Sequence, residues 1–160
     1  MIKGTVKKIL LIIISVLILF CSCSRNTMYT DNISFPSEVW TLDNVAEFNS
    51  EIIDTASISN IYFTIRTGTS YPFRNIWLFI NTTSPEGRSL TDTLQYFLAD
   101  EKGSWYGKGF GDIHELSLPF KTGIYFPEKG IYSFRIRHGM RIENLKGVYD
   151  FGLRIEKLRK

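Results

Sequence analysis

The stretch Ile61-Tyr62-Phe63-Thr64-Ile65-Arg66 decides the fold class of this chain. Apolar residues stand at every second position, so Ile61, Phe63 and Ile65 share one face of an extended strand. The aromatic and β-branched residues in it are also the types that strands favour. The stretch therefore predicts a β-strand with one face in a core.

The same two-residue period recurs along the chain. Residues 76–80 are apolar on both faces, which predicts a central strand that is covered on both sides. Turn-forming residues separate the runs, and no long segment has helical periodicity. Further strands are predicted at residues 93–100, 114–120, 131–138 and 149–156. Residues 43–53 are predicted as a strand, with a single short helix as the alternative. Seven or eight strands predict an all-β fold, a single antiparallel β-sandwich of jelly-roll or immunoglobulin-like type over residues 33–160.

The N-terminus has the order of a bacterial lipoprotein leader. Lys3, Lys7 and Lys8 form a basic start, and residues 9–20 are apolar apart from one serine. This run is shorter than a typical membrane-spanning helix, which favours a secretory leader over the alternative of an uncleaved anchor helix.

The position of the lipid anchor follows from the residues before each cysteine. Ser22 is small and precedes Cys23, whereas a bulky phenylalanine precedes Cys21. We therefore predict a signal peptide over residues 1–22, acylation of Cys23, and a lipidated tether over residues 23–32. One acyl chain anchors a protein only marginally, whereas the three chains of bacterial lipoproteins attach it to the membrane in effect permanently.

Charge and cysteine content narrow the functional classes. The chain has 19 Lys and Arg against 16 Asp and Glu, and the leader removes three lysines and no acid, which leaves 16 against 16. A formally neutral mature chain has no electrostatic footprint for nucleic acid. Removal of Cys21 and acylation of Cys23 also exclude a disulfide, a cysteine zinc site and a cysteine nucleophile from the mature protein.

No motif in the chain indicates catalysis, a cofactor or a metal. The glycine-dense stretch 105–111 lacks the strand, helix and following Ser or Thr of a phosphate-binding loop, so it predicts a turn between strands. In an extended segment Asp112 and His114 share one face while Glu115 points to the other, and His138 is distant in the sequence. Both histidines are therefore interpreted as hydrogen-bonded residues at the margin of the core. No nucleophile elbow or distinctive pair of carboxylates is present.

Aromatic residues near two loops are the remaining candidates for a binding face. Such rings give a large contact area at little loss of conformational entropy, which suits a partner protein or a sugar, although packing in the core is the more common role. The candidates are Tyr71, Phe73, Trp105 and Tyr106, with Trp77 and Phe110 nearby.

Several segments together resemble the GldH family of gliding-motility lipoproteins of Bacteroidetes-type bacteria. The resemblance covers almost the whole mature chain, and its C-terminal part is the most distinctive. It is carried by Arg66 and by residues 71–75, 130–134, 138–141 and 145–156. Within these segments Gly139 and Gly147 are predicted to supply positive φ in turns, and Asp150 is predicted to have a cross-strand partner.

The resemblance implies a structural or assembly component of the gliding-motility and linked secretion machinery, with no enzymatic activity. Its expected partners are the membrane, through the acylated cysteine, and other envelope or motility lipoproteins and secretion components. Residues 24–27 contain neither the aspartate that retains lipoproteins in the inner membrane nor an acidic export cluster, which predicts the periplasmic face of the outer membrane. The alternative is a carbohydrate-binding lipoprotein of the cell envelope.

Two short matches suggest covalent modification. Asp54-Thr55-Ala56 and Asp92-Thr93-Leu94 resemble the Asp-Thr-aliphatic acceptor for O-glycosylation in those bacteria. Thr55 and Thr93 are therefore candidate glycosylation sites.

Overall fold

The computed structural model describes residues 26–158, which form strands joined by turns and one short 3₁₀ segment, Pro36–Glu38. The strands are β1 (Thr27–Ser34), β2 (Val39–Thr41), β3 (Ala46–Ile52), β4 (Ser59–Gly68), β5 (Asn75–Thr83), β6 (Ser89–Phe97), β7 (Lys108–Phe110), β8 (Ile113–Ile124), β9 (Gly130–His138), β10 (Asn144–Lys146) and β11 (Val148–Lys157). Within the described residues, no helix is long and apolar enough to cross a bilayer.

The strands form two main sheets and a small ribbon. The five-stranded sheet has the order β1-β11-β4-β8-β7, the four-stranded sheet has the order β3-β9-β5-β6, and β10 pairs with β2. Neighbouring strands run antiparallel. The all-β antiparallel sandwich predicted from the sequence is therefore confirmed.

The core lies between the two main sheets and is rich in aromatic rings. Phe151 is its centre, because its ring centroid lies 5.0 Å from that of Trp40, 5.3 Å from that of Phe63 and 6.5 Å from that of Phe48. Phe48 belongs to the four-stranded sheet, whereas Phe63 and Phe151 belong to the five-stranded one. Alternation along each strand thus brings apolar faces of both sheets into one core.

Strand β5 differs from its prediction. Ile76, Leu78 and Ile80 are fully buried, but Trp77 and Phe79 on the opposite face are exposed to solvent. The prediction that β5 is covered on both sides is wrong, because nothing in the described part of the chain packs as a layer outside the four-stranded sheet. An apolar run shows that both faces are apolar, and the tertiary arrangement decides which of them is covered.

The folded domain starts earlier than the predicted boundary between residues 32 and 33. Residues 27–34 form β1, and Asn32 in that strand pairs with Gly152 of β11. The predicted signal peptide and the predicted anchor at Cys23 lie outside the described residues.

Candidate functional site

The outward surface of the four-stranded sheet carries three exposed aromatic rings, Trp77, Phe79 and Phe97, which we call the aromatic face. Their exposed fractions are 39%, 44% and 51%. Trp77 and Phe79 point outward from β5 because they alternate with its buried isoleucine and leucine residues. The antiparallel register places Phe97 of β6 opposite Asn75, at the same end of β5 as Trp77. Contiguous exposed apolar surface of this kind marks interaction sites.

Two of the rings are held in place by the segment after β9. The backbone N–H of Gly139 donates to the carbonyl oxygen of Trp77 at 2.7 Å, and the N–H of Trp77 donates to Sδ of Met140 at 3.4 Å. A Cβ atom added to Gly139 would lie only 2.9 Å from the ring of Phe79. Gly139 does not have the predicted positive φ; the absence of a side chain there allows Phe79 to pack on the backbone.

A groove runs along the aromatic face. One part, of about 580 Å³, is lined by Phe73, Trp77, Phe79, Thr93 and Arg141, among others. The adjoining part, of about 290 Å³, also contacts Phe79 and is lined by Asn81, Thr91, Arg135 and Arg137 among others. The groove therefore combines ring surfaces with hydroxyl, amide and guanidinium groups.

The charge around the aromatic face is mainly positive. Arg137 and Arg141 are exposed beside the groove. Arg135 forms an ion pair with Glu47 at 3.5 Å. The guanidinium carbon of Arg74 lies 5.6 Å from the centroid of the Phe97 ring, a cation–π contact. The aromatic surface thus has a cationic rim.

Tyr71 does not belong to an exposed face, and that part of the prediction is wrong. Its side chain is buried, and its hydroxyl donates to the carbonyl oxygen of Asn75 at 2.8 Å. Its ring packs edge-on against Phe73 and Trp105, with centroids 6.1 Å apart in both pairs. Burial raises the pKa of Tyr71 above its ordinary value. Tyr71 therefore acts as a core residue beneath the groove.

The other predicted aromatics lie in different places. Phe73 is half-buried and lines the groove. Trp105 is half-buried and stacks on His114, with centroids 5.2 Å apart and an interplanar angle of 11°. Tyr106 is exposed on the outer side of the five-stranded sheet. The side chain of Phe110 lies outside the described part of the chain.

The structure therefore divides the predicted aromatic cluster. Phe73 and Trp77 line the same groove, whereas Tyr106 lies on the outer side of the five-stranded sheet. Phe79 and Phe97 are not among the predicted binding residues, although Phe79 shares the two-residue period of Trp77.

The outer surface of the five-stranded sheet carries paired charges. Nε of Arg66 donates to Oδ2 of Asp150 at 2.6 Å, and the carboxylate is almost fully buried. This hydrogen bond raises the pKa of Arg66. The predicted cross-strand partner of Asp150 is thus Arg66. Arg154 forms an ion pair with Glu156 at 3.1 Å and stands over the ring of Tyr62. These ion pairs and the cation–π contact hold the charged side chains in place on the outer surface of the sheet.

The histidines and acids considered as metal ligands do not meet. Among residues 26–158, no group of three or more His, Cys, Asp or Glu side chains is arranged to hold a metal ion. His138 is fully buried and contacts Trp40 edge-on at 5.6 Å, rather than lying at the margin of the core. Burial lowers the pKa of His138, because an apolar environment disfavours the charged imidazolium.

The two candidate glycosylation sites differ in setting. Thr55 is half-buried in the loop between β3 and β4, where the Asp54 carboxylate accepts hydrogen bonds from the N–H groups of Ala56 and Ser57. Thr93 is exposed on β6 and pairs with Phe79, so it borders the aromatic face. Modification at either residue stays a prediction.

Comparison with known proteins gives close relatives and remote structural neighbours. Two relatives are the gliding motility lipoprotein GldH homolog of Christiangramia forsetii, 33% identical over 91% of this chain and 93% of its own, and the gliding motility lipoprotein GldH of Flavobacterium johnsoniae, 33% identical over 88% and 91%. Among solved structures, a carbohydrate-binding module of the β-sandwich superfamily is 10% identical, with a TM-score of 0.33, over 81% of this chain and 54% of its own. A family 16 carbohydrate-binding module is 10% identical, with a TM-score of 0.28, over 76% and 74%.

Those TM-scores are too low to inform on function. The model of the GldH lipoprotein family, in contrast, matches residues 27–155, which is nearly the whole described domain. The chain belongs to the GldH lipoprotein family.

Proposed function

We propose that this protein is a lipid-anchored, non-enzymatic structural or assembly component of the gliding-motility and linked secretion machinery, on the periplasmic face of the outer membrane. In this proposal residues 1–22 are removed and Cys23 carries the lipid. Family membership and the names of the two relatives support the motility context. The observation on which the proposal rests is the aromatic face, a preformed surface for another envelope protein.

The composition of the aromatic face suits a protein partner. Tryptophan, other aromatics and arginine are enriched where protein interfaces concentrate their binding energy. Trp77 and Phe79 lie together at the centre, and Arg137 and Arg141 provide a polar rim. The contacts of Gly139 with both aromatic residues order the surface before binding, which reduces the entropy lost on association.

The test is recovery of partners by the full-length, lipidated protein. Tagged protein is crosslinked in membranes and purified, and the co-purifying proteins are identified by mass spectrometry. We compare wild type with a Trp77→Ala, Phe79→Ala double variant and with Tyr106→Ala. The last is a matched control because Tyr106 is at least as exposed but lies on the other sheet.

Wild type and Tyr106→Ala are expected to recover envelope lipoproteins or secretion components, and the double variant is expected to lose at least about tenfold of that recovery, since central aromatic residues dominate interfaces. Equal recovery by all three proteins would refute the role of the aromatic face. Absence of any envelope protein from the wild-type sample would refute the proposal as a whole.

Carbohydrate binding is the second candidate, and one observation favours it. Thr91, Thr93 and Gln95 point outward on β6 beside Trp77 and Phe79. An aromatic plane next to hydroxyl and amide groups can contact the apolar face of a sugar ring and hydrogen-bond its hydroxyls. Binding on a glycan array that is lost in Trp77→Ala and kept in Tyr106→Ala would favour this function over the first.

A further inference from the structure

Strand termini from both main sheets meet at one end of the sandwich, which we call the anchor-proximal end. The carbonyl oxygen of Asn26, just before β1, accepts a hydrogen bond from the N–H of Lys157 at the end of β11, at 2.8 Å. Ser59, at the start of β4, pairs with both Lys157 and Ile124, the last residue of β8. The carboxylate of Asp54, just after β3, lies 2.6 Å from Nζ of Lys157 and joins the two sheets at this end.

Four large apolar side chains are exposed at the anchor-proximal end. Ile53 directly follows β3, Tyr125 directly follows β8, Leu158 directly follows β11, and Ile131 lies at the start of β9. Their exposed fractions are 72%, 58%, 48% and 61%. They belong to separate segments of the chain, so the fold itself collects them at one end.

Ordered backbone holds three of these side chains outward. The Asp54 carboxylate accepts from the N–H of Ala56 at 3.0 Å, which fixes the loop after Ile53. Phe126 is buried against Tyr132, with centroids 4.9 Å apart, which fixes the residue after Tyr125. The N–H of Leu158 donates to the carbonyl oxygen of Ile58 at 2.8 Å. Ile53, Tyr125 and Leu158 are therefore exposed although the backbone beside them is fixed by hydrogen bonds and packing.

The charges at the anchor-proximal end permit contact with phospholipid. Asp54 is paired with Lys157, and Arg88 contacts both Glu86 and Glu128. Lys129 is exposed, and the sequence continues after Leu158 with Arg159 and Lys160. Asp54, Glu86 and Glu128 are thus paired with cations, whereas Glu51, opposite Ile131, is exposed and forms no ion pair with the described residues. Lys129 is available to anionic headgroups.

We propose that the anchor-proximal end is a membrane-binding surface, with Ile53, Tyr125, Ile131 and Leu158 in the headgroup region of the bilayer. The inference rests on the proposed acylation of Cys23. Only Ser24, Arg25 and Asn26 separate Cys23 from β1, so a fully extended link spans about 14 Å at most. The headgroup region of one leaflet is itself roughly 5–8 Å thick.

The short link leaves this end of the domain beside the bilayer, where apolar and aromatic side chains are favoured. The occupant is therefore the lipid surface that holds the anchor.

This orientation gives the aromatic face a defined height above the membrane. Thr83, at the end of β5, pairs with Ser89 and Ser133 near the anchor-proximal end, and Trp77 lies six residues earlier on the same strand. At about 3.4 Å per residue, Trp77 is roughly 20 Å farther from the membrane than Thr83. The rings therefore face the periplasmic space, where a partner can reach them.

The test measures the depth of single residues in the lipidated, full-length protein. The mature chain has no other free thiol once Cys23 is acylated, so Ile53→Cys, Tyr125→Cys and Tyr106→Cys can each carry one environment-sensitive fluorophore. Tyr106 is the matched control, because its exposed fraction of 60% equals that of Tyr125 within two percentage points. The variants are reconstituted into phosphatidylethanolamine and phosphatidylglycerol vesicles that contain a lipid quencher, and flotation of the same vesicles reports anchoring.

We expect about a twofold loss of fluorescence at residues 53 and 125 and little loss at residue 106, since the quencher acts only near the headgroup region. Flotation with equal quenching at all three positions, or at none, would overturn the membrane-binding surface while the anchor stands. Failure to float would overturn the anchor and this inference with it.

Discussion

Replacement of Gly147 by alanine is expected to destabilise the protein strongly for two reasons, the backbone conformation at this position and the close approach of a neighbouring segment. Gly147 lies between β10 and β11 with a φ of +75°. An L-residue in this left-handed conformation loses about 1–2 kcal/mol. The added Cβ would also lie 2.3 Å from the backbone nitrogen and 2.7 Å from the Cα of Tyr71, atoms that cannot rotate away.

The clash with Tyr71 also weakens a hydrogen bond. The N–H of Gly68 donates to the carbonyl oxygen of Gly147 at 2.9 Å, so a backbone shift that relieves the clash weakens a contact worth about 1 kcal/mol. The conformation loses about 1–2 kcal/mol and forcing the added atom against fixed backbone loses about 1–3 kcal/mol more, so Gly147→Ala is expected to lower the free energy of unfolding by roughly 2–5 kcal/mol. Gly87 has a similar φ of +82° and open space around the position of a Cβ. Gly87→Ala should therefore lose only about 1 kcal/mol.

The assay is urea unfolding of the lipidated protein in detergent, followed by tryptophan fluorescence and circular dichroism. A loss of 3 kcal/mol in a mature chain of this size lowers the melting temperature by roughly 10 °C, which gives an independent reading. If the free energies of unfolding of the two alanine variants agree within about 0.5 kcal/mol, the close approach to Tyr71 is not a constraint and the reasoning is wrong.

Three further predictions concern the core and its charges. Phe151→Ala should lower the free energy of unfolding by about 3–5 kcal/mol, since it removes the ring that joins both sheets; a loss below about 1 kcal/mol in urea unfolding would contradict that role. Arg66→Ala should lower the free energy of unfolding by about 2–3 kcal/mol, because it leaves the buried Asp150 carboxylate without its partner. A double-mutant cycle with Asp150→Asn should give a coupling energy above about 1 kcal/mol. Burial lowers the pKa of His138 in the folded state, so the unfolded chain takes up the proton first and stability falls as the pH drops below about 6.5. Melting temperatures between pH 7 and pH 5 should show this slope in wild type and a reduced slope in His138→Phe.

The sequence predicted the strands better than it predicted their surroundings. Alternation correctly assigned Ile61, Phe63 and Ile65 to a buried face, because the pleat determines which side chains share a side. It failed for Trp77 and Phe79, since only the arrangement of the strands shows that no layer formed by residues 26–158 covers them. A short-range pattern identifies a face, and long-range packing decides whether solvent reaches it.

The contrast between short-range pattern and long-range packing also explains why the candidate site was only partly predicted. The sequence predicts Tyr71 on a binding face near a loop, but pairing across the fold brings Gly147 against its backbone and Trp105 against its ring. Much of β1 falls in the predicted tether because this edge strand has few buried residues, and only its pairing with β11 identifies it as a strand. Each failure involves a contact between residues distant in the sequence.

The attachment of β1 has a mechanical consequence. In the five-stranded sheet β1 is an edge strand whose backbone partner is β11, with consecutive pairs from Tyr29–Ile155 to Ser34–Asp150. In the proposed lipid-anchored state, a pull between Cys23 and a partner on the aromatic face would enter the domain through Thr27 and run along the axis of β1. Antiparallel hydrogen bonds lie perpendicular to the strands, so this shear loads them all at once. The lifetime of the protein under tension then depends on the barrier to separating β1 from β11, rather than on its equilibrium stability.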